Sequence, residues 1–487
     1  MLVRQSKNSF IRCYNGYGYI TNQLTYHDRA YNETGADFLK ELSRRPQDVD
    51  VIVRRLLELY EDIDFQSLKN DFMEFLVDLA DRKFIVLGET SEELDANDIG
   101  FSYSLENPKT MAEDFSQPTS QRVTKSTQDY NFEMNSLKPQ LSGLQFELTS
   151  RCNERCIHCY IPNGKKNAGQ DMPTEKVCDL LDQYADMGGL QVTLSGGEVL
   201  MHKDIGTILR YCRQKDFKIS LLTNLIALRD AQIPMLKEVN LSIVQTSLYS
   251  MVPEIHDSIT TVKGSFARTK AAIEKLVAAD IPVQISCPVM KANYKGYKEV
   301  LKYARLLKIK AQTDFIMMAQ SDCDTSNLAN RISLKETEEL LRDIIEYDID
   351  YRNNILTQRP ISDEIVSKFE AFVRQPVCGV GINSCCIAEN GDVYPCAGWQ
   401  AYVLGNVNEQ SLQEIWEKSE KINALRKITQ GAFPKCLKCE ARDFCAMCLV
   451  RNFNESGGDM FKINDHFCKV AFLNKRLVEE YYSKHHV

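Results

Sequence analysis

The chain has 487 residues, too long for one ordinary core, so two or three domains are expected. Hydrophobic residues make up 44% and charged residues 26%, as in a water-soluble globular chain, and no apolar run reaches the length of a membrane span. The formal net charge of −8 weighs against a general nucleic-acid binder, and seventeen cysteines in a chain of this kind point to metal rather than disulfides. The first residues, MLVRQSKNSFIRCYNGYGY, lack the apolar stretch of a signal peptide, which sets the expectation of a cytoplasmic protein with no membrane partner.

In chain order, residues 1–88 read as one unit. FIRCYNGYGYITNQLTYH divides at Asn15-Gly16 and Asn22 into two or three short strands. Apolar residues at three- and four-residue spacing predict helices near 32–44, 47–60 and 65–81, and Phe84-Ile85-Val86-Leu87 predicts a closing strand. Small strands followed by three helices suggest a winged helix-turn-helix type of module. Residues 89–140 are polar and read as a linker with room for one short helix.

From 141 to 330, apolar strands alternate with amphipathic helices. Strands are expected at 143–149, 190–195, 217–223, 240–247, 282–289 and 312–318, and helices at 174–187, 205–214, 229–237, 266–279 and 296–308. Six repeats fall short of a closed eight-stranded barrel, so the expected fold is α/β, an open partial (β/α)6 TIM-type barrel with its functional residues at the carboxyl ends of the strands. Residues 331–375 form a bridging helical segment. Residues 376–487 hold a Cys-rich domain of modest apolar content, which metal would hold together, followed by a C-terminal helix.

The cysteines carry the chemistry. Cys152, Cys156 and Cys159, in RCNERCIHCY, directly follow the first barrel strand. Three thiolates on a four-iron cubane leave one iron without a protein ligand, as a catalytic metal keeps a position open for its reactant. Gly196-Gly197-Glu198 ends the second strand, where two glycines allow a close backbone approach. Glu198 is read either as a contact to a bound ligand or as a plain helix N-terminal carboxylate. Thr223, Asn224 and Ser247 end the third and fourth strands, and for each of them a cap or a strand-end hydrogen bond is the alternative to a ligand contact. In the tail, Cys378, Cys385, Cys396, Cys436, Cys439, Cys445, Cys448 and Cys468 stand at cluster-type spacings, although 436–448 alone also admits a zinc ribbon. A two-residue Asn390-Gly391 turn would pair Cys385 with Cys396 on one face and send Cys386 to the other, so Cys385 is the expected ligand. Cys178, Cys212 and Cys287 are read as small buried hydrophobes.

The triple-cysteine run together with Gly196-Gly197-Glu198 resembles the radical S-adenosylmethionine superfamily over about residues 142–320. The resemblance implies an open-site 4Fe–4S cluster on Cys152, Cys156 and Cys159, and S-adenosylmethionine held beside Gly196, Gly197, Glu198, Thr223, Asn224 and Ser247. The tail resembles the SPASM domain of peptide-modifying radical enzymes, with two residues where that family most often has three between Cys445 and Cys448. That resemblance implies two auxiliary 4Fe–4S clusters, on Cys378, Cys385, Cys396 and Cys448 and on Cys436, Cys439, Cys445 and Cys468. Residues 1–88 resemble, in order and size, the PqqD-like peptide-recognition element of maturases of ribosomally made peptides. Such a module adds a leader peptide as an extra strand beside a helix.

The implied function is a maturase that crosslinks a ribosomally made precursor peptide, with sactipeptide- and ranthipeptide-type thioethers as the favoured product and a flavodoxin or ferredoxin as reductant. Rival readings are carbon–carbon crosslinking, sulfatase activation by formylglycine formation, and a non-catalytic iron–sulfur electron carrier. DNA is not an expected partner, since LELYEDIDF is acidic where a recognition helix is basic.

Overall fold

The computed structural model describes residues 1–103, 138–162, 164, 169–348, 352, 373–445 and 447–485. Alternating apolar residues and tight turns build the first region. β1 (Leu2–Gln5), β2 (Ser9–Tyr14), β3 (Tyr17–Asn22) and β4 (Asp28–Tyr31) are followed by α1 (Glu33–Lys40), β5 (Gln47–Asp48), α2 (Val49–Leu57), α3 (Phe65–Asp81) and β6 (Ile85–Gly88). Asn32, Asp48 and Asp64 start the three helices by accepting hydrogen bonds from backbone N–H groups of the first turn. The strands form two antiparallel sheets, β2-β3-β4 and β5-β1-β6. Ile20, Phe38, Leu39, Ile52, Leu56, Phe72, Leu76 and Phe84 fill the space between sheets and helices. The third expected helix matches its bounds and the first two are shorter at their ends, and β1 and β5 are additional to the expected strands. In the polar stretch after β6 a short helix spans Ser91–Asn97, and the expected linker beyond residue 103 lies largely outside the described residues.

The barrel strands are β7 (Gly143–Glu147), β8 (Gln191–Ser195), β9 (Lys218–Leu222), β10 (Ile243–Ser247), β11 (Val283–Pro288) and β12 (Lys310–Asp314), each parallel to the next. Even-numbered Leu144 and Phe146 of β7, with Val192, Leu194, Ile219, Leu221, Val244 and Ile285, face the surrounding helices and are at most 1% exposed. Each such side chain contributes about 1.5–3 kcal/mol by leaving water. The sixth strand lies two residues earlier than expected. The apolar Phe315–Met318 segment that suggested a later strand is instead the loop at its carboxyl end. An unanticipated helix, Pro253–Thr260, follows β10.

The barrel sheet does not stop at β7. Strand β13 (Ser384–Ala388) pairs with β7 in parallel, and β14 (Asp392–Tyr394) and β15 (Gly405–Asn406) continue the sheet antiparallel, giving the order β12-β11-β10-β9-β8-β7-β13-β14-β15. The Cys-rich tail therefore begins as an extension of the barrel sheet. The hairpin corrects the expected turn. Cys386 pairs with Tyr394 and Ile387 with Val393, so three residues, Glu389–Gly391, make the loop, with Gly391 at φ +90° and its N–H on the Ala388 carbonyl. The register is thus one residue away from the pairing that favoured Cys385. In the bridging segment the helix Leu334–Tyr347 is formed, and residues 353–372 lie outside the described residues.

The N-terminal module is seated on the amino-terminal ends of the barrel strands. The Arg12 guanidinium donates to the Gly189 carbonyl at 2.6 Å and the Asp216 carbonyl at 2.7 Å. The Asp216 carboxylate accepts from Arg44 at 2.7 Å and Arg213 at 2.8 Å, and both guanidiniums lie over the Phe10 ring at 5.2 and 5.1 Å. Asn240 donates to Asn8 Oδ1, and Tyr103 bridges the Ile281 carbonyl and the Val283 N–H. These barrel partners lie in the last turn of a helix (Arg213), in loops that lead into strands (Gly189, Asp216, Asn240, Ile281) or at a strand's first residue (Val283), all at the opposite end from the cysteine run.

Candidate active site at the barrel mouth

The loop after β7 carries Cys152, Cys156 and Cys159, and it is held from two sides. Thr149 Oγ1 donates to Asp171 at 2.6 Å, Arg151 forms an ion pair with the same carboxylate, and Arg151 also donates to the Met201 carbonyl. From β8, the Gly197 N–H donates to Thr149 O and the Glu198 N–H to Arg151 O, each at 2.7 Å. A Cβ on Gly197 would lie 2.3 Å from Arg151 O and 3.0 Å from Cys152 Cβ, so only glycine lets these loops meet. Gly196 has φ +150° and is equally crowded by Thr149. The glycines thus admit the cysteine loop itself, a closer reason for them than the approach of a free ligand.

The three thiols line one cavity of about 280 Å³ with Gly196, Gly197, Thr223, Asn224, Gln245 and Ser247. Five of the six positions expected to contact the cofactor thus share one space with the thiols, and Glu198 is the exception. Glu198 is 1% exposed and is absent from the cavity wall. Its carboxylate accepts from Thr223 Oγ1 at 2.6 Å, Asn224 N at 2.7 Å and Leu200 N at 2.9 Å. Burial pushes its pKa up against those three hydrogen bonds. It starts the short turn Val199–Met201, as a helix N-terminal carboxylate does, and it also holds Thr223 and Asn224, which was not expected.

His158 and Tyr249 complete the wall and were not singled out from sequence. Their rings meet edge to face with centroids 5.1 Å apart, and Tyr249 OH lies 3.4 Å from His158 Nε2. The signal for His158 was its place between Cys156 and Cys159, and that for Tyr249 its position two residues past Ser247. Behind Tyr249 sits His256, 1% exposed, whose pKa burial lowers to about 4. Asp257 accepts from Gly264 N, Ser265 Oγ and Phe266 N, so it ties the start of the next helix in place and stays away from the cavity.

In the tail, Cys436, Cys439, Cys445 and Cys468 line a second cavity, of about 370 Å³. Cys468 reaches it from the C-terminal helix Asp465–His485, Cys436 from the short helix Pro434–Leu437, and Cys439 and Cys445 from either side of the turn Arg442–Phe444. Burial raises the Cys445 thiol to about 11, and the Cys468 and Cys436 charges add to this. Cys378, Cys396 and Cys448 form another neighbourhood: burial lifts Cys396 to about 11, with Cys448 and Cys378 acting on it. Among the described residues no three His, Cys, Asp or Glu side chains converge on a point as a single metal ion demands. Thiols spread around a cavity suit a cubane, which takes its ligands at separate corners.

Comparison with known proteins gives these regions their families. Residues 146–304 match the radical SAM superfamily, residues 378–440 the SPASM iron–sulfur cluster-binding domain, and residues 25–85 the coenzyme PQQ synthesis protein D family. Over 330 residues the chain is 28% identical to the AdoMet-dependent heme synthase of Methanosarcina barkeri, covering 64% of this chain and 93% of that one. Over 324 residues it is 28% identical to the antilisterial bacteriocin subtilosin biosynthesis protein AlbA of Bacillus subtilis, covering 64% and 68%. Its fold is that of Streptococcus suis SuiB, solved bound to precursor peptide SuiA, with a TM-score of 0.60 at 16% identity over 96% of this chain and 99% of that one. The chain therefore carries a radical SAM domain, which binds S-adenosylmethionine and a 4Fe–4S cluster, a SPASM domain, which binds auxiliary clusters, and a PqqD-like domain.

Proposed function

We propose that this chain is a radical S-adenosylmethionine maturase that installs thioethers, from cysteine sulfur to carbon, in a ribosomally made precursor peptide. The observation that carries the reading is the joining, by half-buried polar contacts, of a PqqD-like domain to a barrel whose mouth gathers Cys152, Cys156 and Cys159 around one cavity. On this reading those thiolates hold the open-site cluster, and Cys436, Cys439, Cys445 and Cys468 hold an auxiliary one. Thr223, Asn224 and Ser247 contact the bound S-adenosylmethionine, with Glu198 fixing the first two. When cluster and S-adenosylmethionine are bound they supply a 5′-deoxyadenosyl radical able to take a hydrogen atom from the peptide.

The protein's own part is positional. Gly196 and Gly197 bring the cysteine loop against the strand ends, and His158 and Tyr249 close one wall of the cavity. Residues 1–88 take the leader on a sheet edge. Among these edges β4 stands beside α3, where Tyr31 packs on Phe75 and donates to Asp78. Tethering the leader raises the effective concentration of the core peptide at the mouth. A flavodoxin or ferredoxin is the proposed reductant.

The test is mass spectrometry of a Cys-rich peptide encoded beside this chain, after reaction with reconstituted protein, S-adenosylmethionine and a strong reductant. Loss of two hydrogens per crosslink with the thiols blocked to alkylation is the expected result. The same mass loss with alkylatable thiols selects carbon–carbon crosslinking. An unmodified peptide together with turnover of a haem precursor would replace the reading by the chemistry named for the Methanosarcina relative.

A further inference from the structure

The nine-stranded sheet ends on two strands, β15 of two residues and β12 of five. β12 runs from the amino-terminal end of the barrel to the mouth and, among the described residues, pairs only with β11, in parallel. Its backbone is therefore half used. Successive residues of a strand turn their N–H and C=O groups to opposite sides. The Asp314 carbonyl accepts from the Val289 N–H, just past β11, so Lys310, Gln312 and Asp314 bond toward that strand. Ala311 and Thr313 turn theirs to the open edge, which sets two donors and two acceptors along one line. Edges of this kind are commonly closed by a proline, a bulge or a very short strand, and Lys310–Asp314 has none of these.

The two ends of this edge lie at the two parts that a peptide has to reach. At the amino-terminal end, Lys310 Nζ is 4.0 Å from the centroid of the Tyr26 ring. Tyr26 belongs to the turn between β3 and β4, two residues before Asp28, where β4 starts. At the mouth, the loop after β12 is bonded to the cysteine run. The Ser321 N–H donates to the Tyr160 carbonyl at 2.8 Å, and the Asn330 side chain donates to the Ile157 carbonyl at 3.1 Å. The open edge thus joins the start of the recognition strand to the loop that carries the thiols.

We propose that β12 is a second strand-addition surface, on which the segment of the precursor peptide between leader and modified residues lies as a further parallel strand of the barrel sheet. A precursor peptide as occupant rests on the maturase reading above; the open edge does not. The polarity follows from the order of leader and core. A leader that leaves β4 at Asp28 runs antiparallel to β4. Its continuation from Lys310 to Asp314 then runs parallel to β12, in the sense shared by the barrel strands. Main-chain hydrogen bonds supply the hold, so this surface sets the direction and reach of the peptide and little of its sequence.

The experiment uses the full-length reconstituted protein and the Cys-rich peptide encoded beside this chain. Backbone hydrogen exchange is followed by mass spectrometry with and without the peptide. Exchange at Ala311 and Thr313 should slow by about fivefold or more, together with exchange in β4. Slowing in β4 alone overturns the proposal and leaves the maturase reading standing; slowing in neither strand overturns both. A second arm removes one outward N–H. T313P does so on an edge strand, where proline is tolerated, and leaves the bonds to β11 in place, whereas T313V keeps the N–H. Peptide modified per 5′-deoxyadenosine formed should be about five- to tenfold lower in T313P than in T313V. Equal ratios overturn the proposal. If T313P does not fold, the exchange measurement on the parent protein decides.

Discussion

The two ends of the barrel are built by opposite means. At the mouth, loops meet through backbone hydrogen bonds at glycines that tolerate no side chain, and the thiols stay partly exposed. At the floor, long arginine side chains reach across to carbonyls and one shared carboxylate, with Phe10 beneath them. The mouth is a fixed frame in which a small displacement removes the site. The floor is a joint whose parts are replaceable one at a time.

That contrast is most severely tested at the cysteines. Replacing Cys152, Cys156 and Cys159 with Ala should abolish 5′-deoxyadenosine formation and remove about four irons; retained cleavage would show that the mouth is not the reactive end. Gly197→Ala comes next. Overpacking of this kind costs about 1–3 kcal/mol, and the added methyl points at a carbonyl that holds the cysteine loop. Cleavage should fall by about tenfold or more, read as initial rate at saturating S-adenosylmethionine. A smaller effect is expected at the floor. Asp216→Ala leaves Arg44 and Arg213 without their shared carboxylate, at about 1–3 kcal/mol. It should slow peptide modification while peptide-independent cleavage stays within about twofold; equal losses in both would show that the two ends are not independent.

The smallest effect separates the ends by pH. His256, behind Tyr249, has its pKa depressed by burial to about 4, against about 6.5 when unfolded. The unfolded chain binds the extra proton between these values, so stability present above about pH 6.5 is lost as the pH falls toward 4. Down to pH 5 that amounts to about 2 kcal/mol or less. Thermal melts at pH 7 and pH 5 should therefore differ less for His256→Gln than for the parent. The floor arginines remain charged throughout this range and give no such slope.

Much of this was legible from residues. The alternation of apolar strands and amphipathic helices announced the parallel barrel because the first five strands are buried on their helix side. The cysteine spacings and the Gly-Gly-Glu run announced the mouth. What escaped was decided by contacts distant in sequence. β1 and β5 are short and pair only with partners more than forty residues away along the chain. Lys310–Asp314 is an edge strand with polar side chains, so its pattern was weaker than that of the apolar loop after it. The hold of Glu198 on Thr223 and Asn224 was not legible, because two of its three donors come from the next strand end. Asn390-Gly391 signals a two-residue turn, but the Asn406 and Asn408 amides hold the Asn390 carbonyl and the loop closes over three residues. One residue of register moved the hairpin cysteines to the other faces.

The seating of the N-terminal module on the floor also has a consequence in units of chain length. A barrel strand of five residues rises about 17 Å at about 3.3 Å per residue, and the loops above and below it roughly double that path. A peptide held at one end of the barrel and altered at the other must run alongside it, extended, for roughly ten residues. On the proposed maturase reading, precursors shortened below that span between their leader and first modified residue should bind as tightly as before and emerge unchanged.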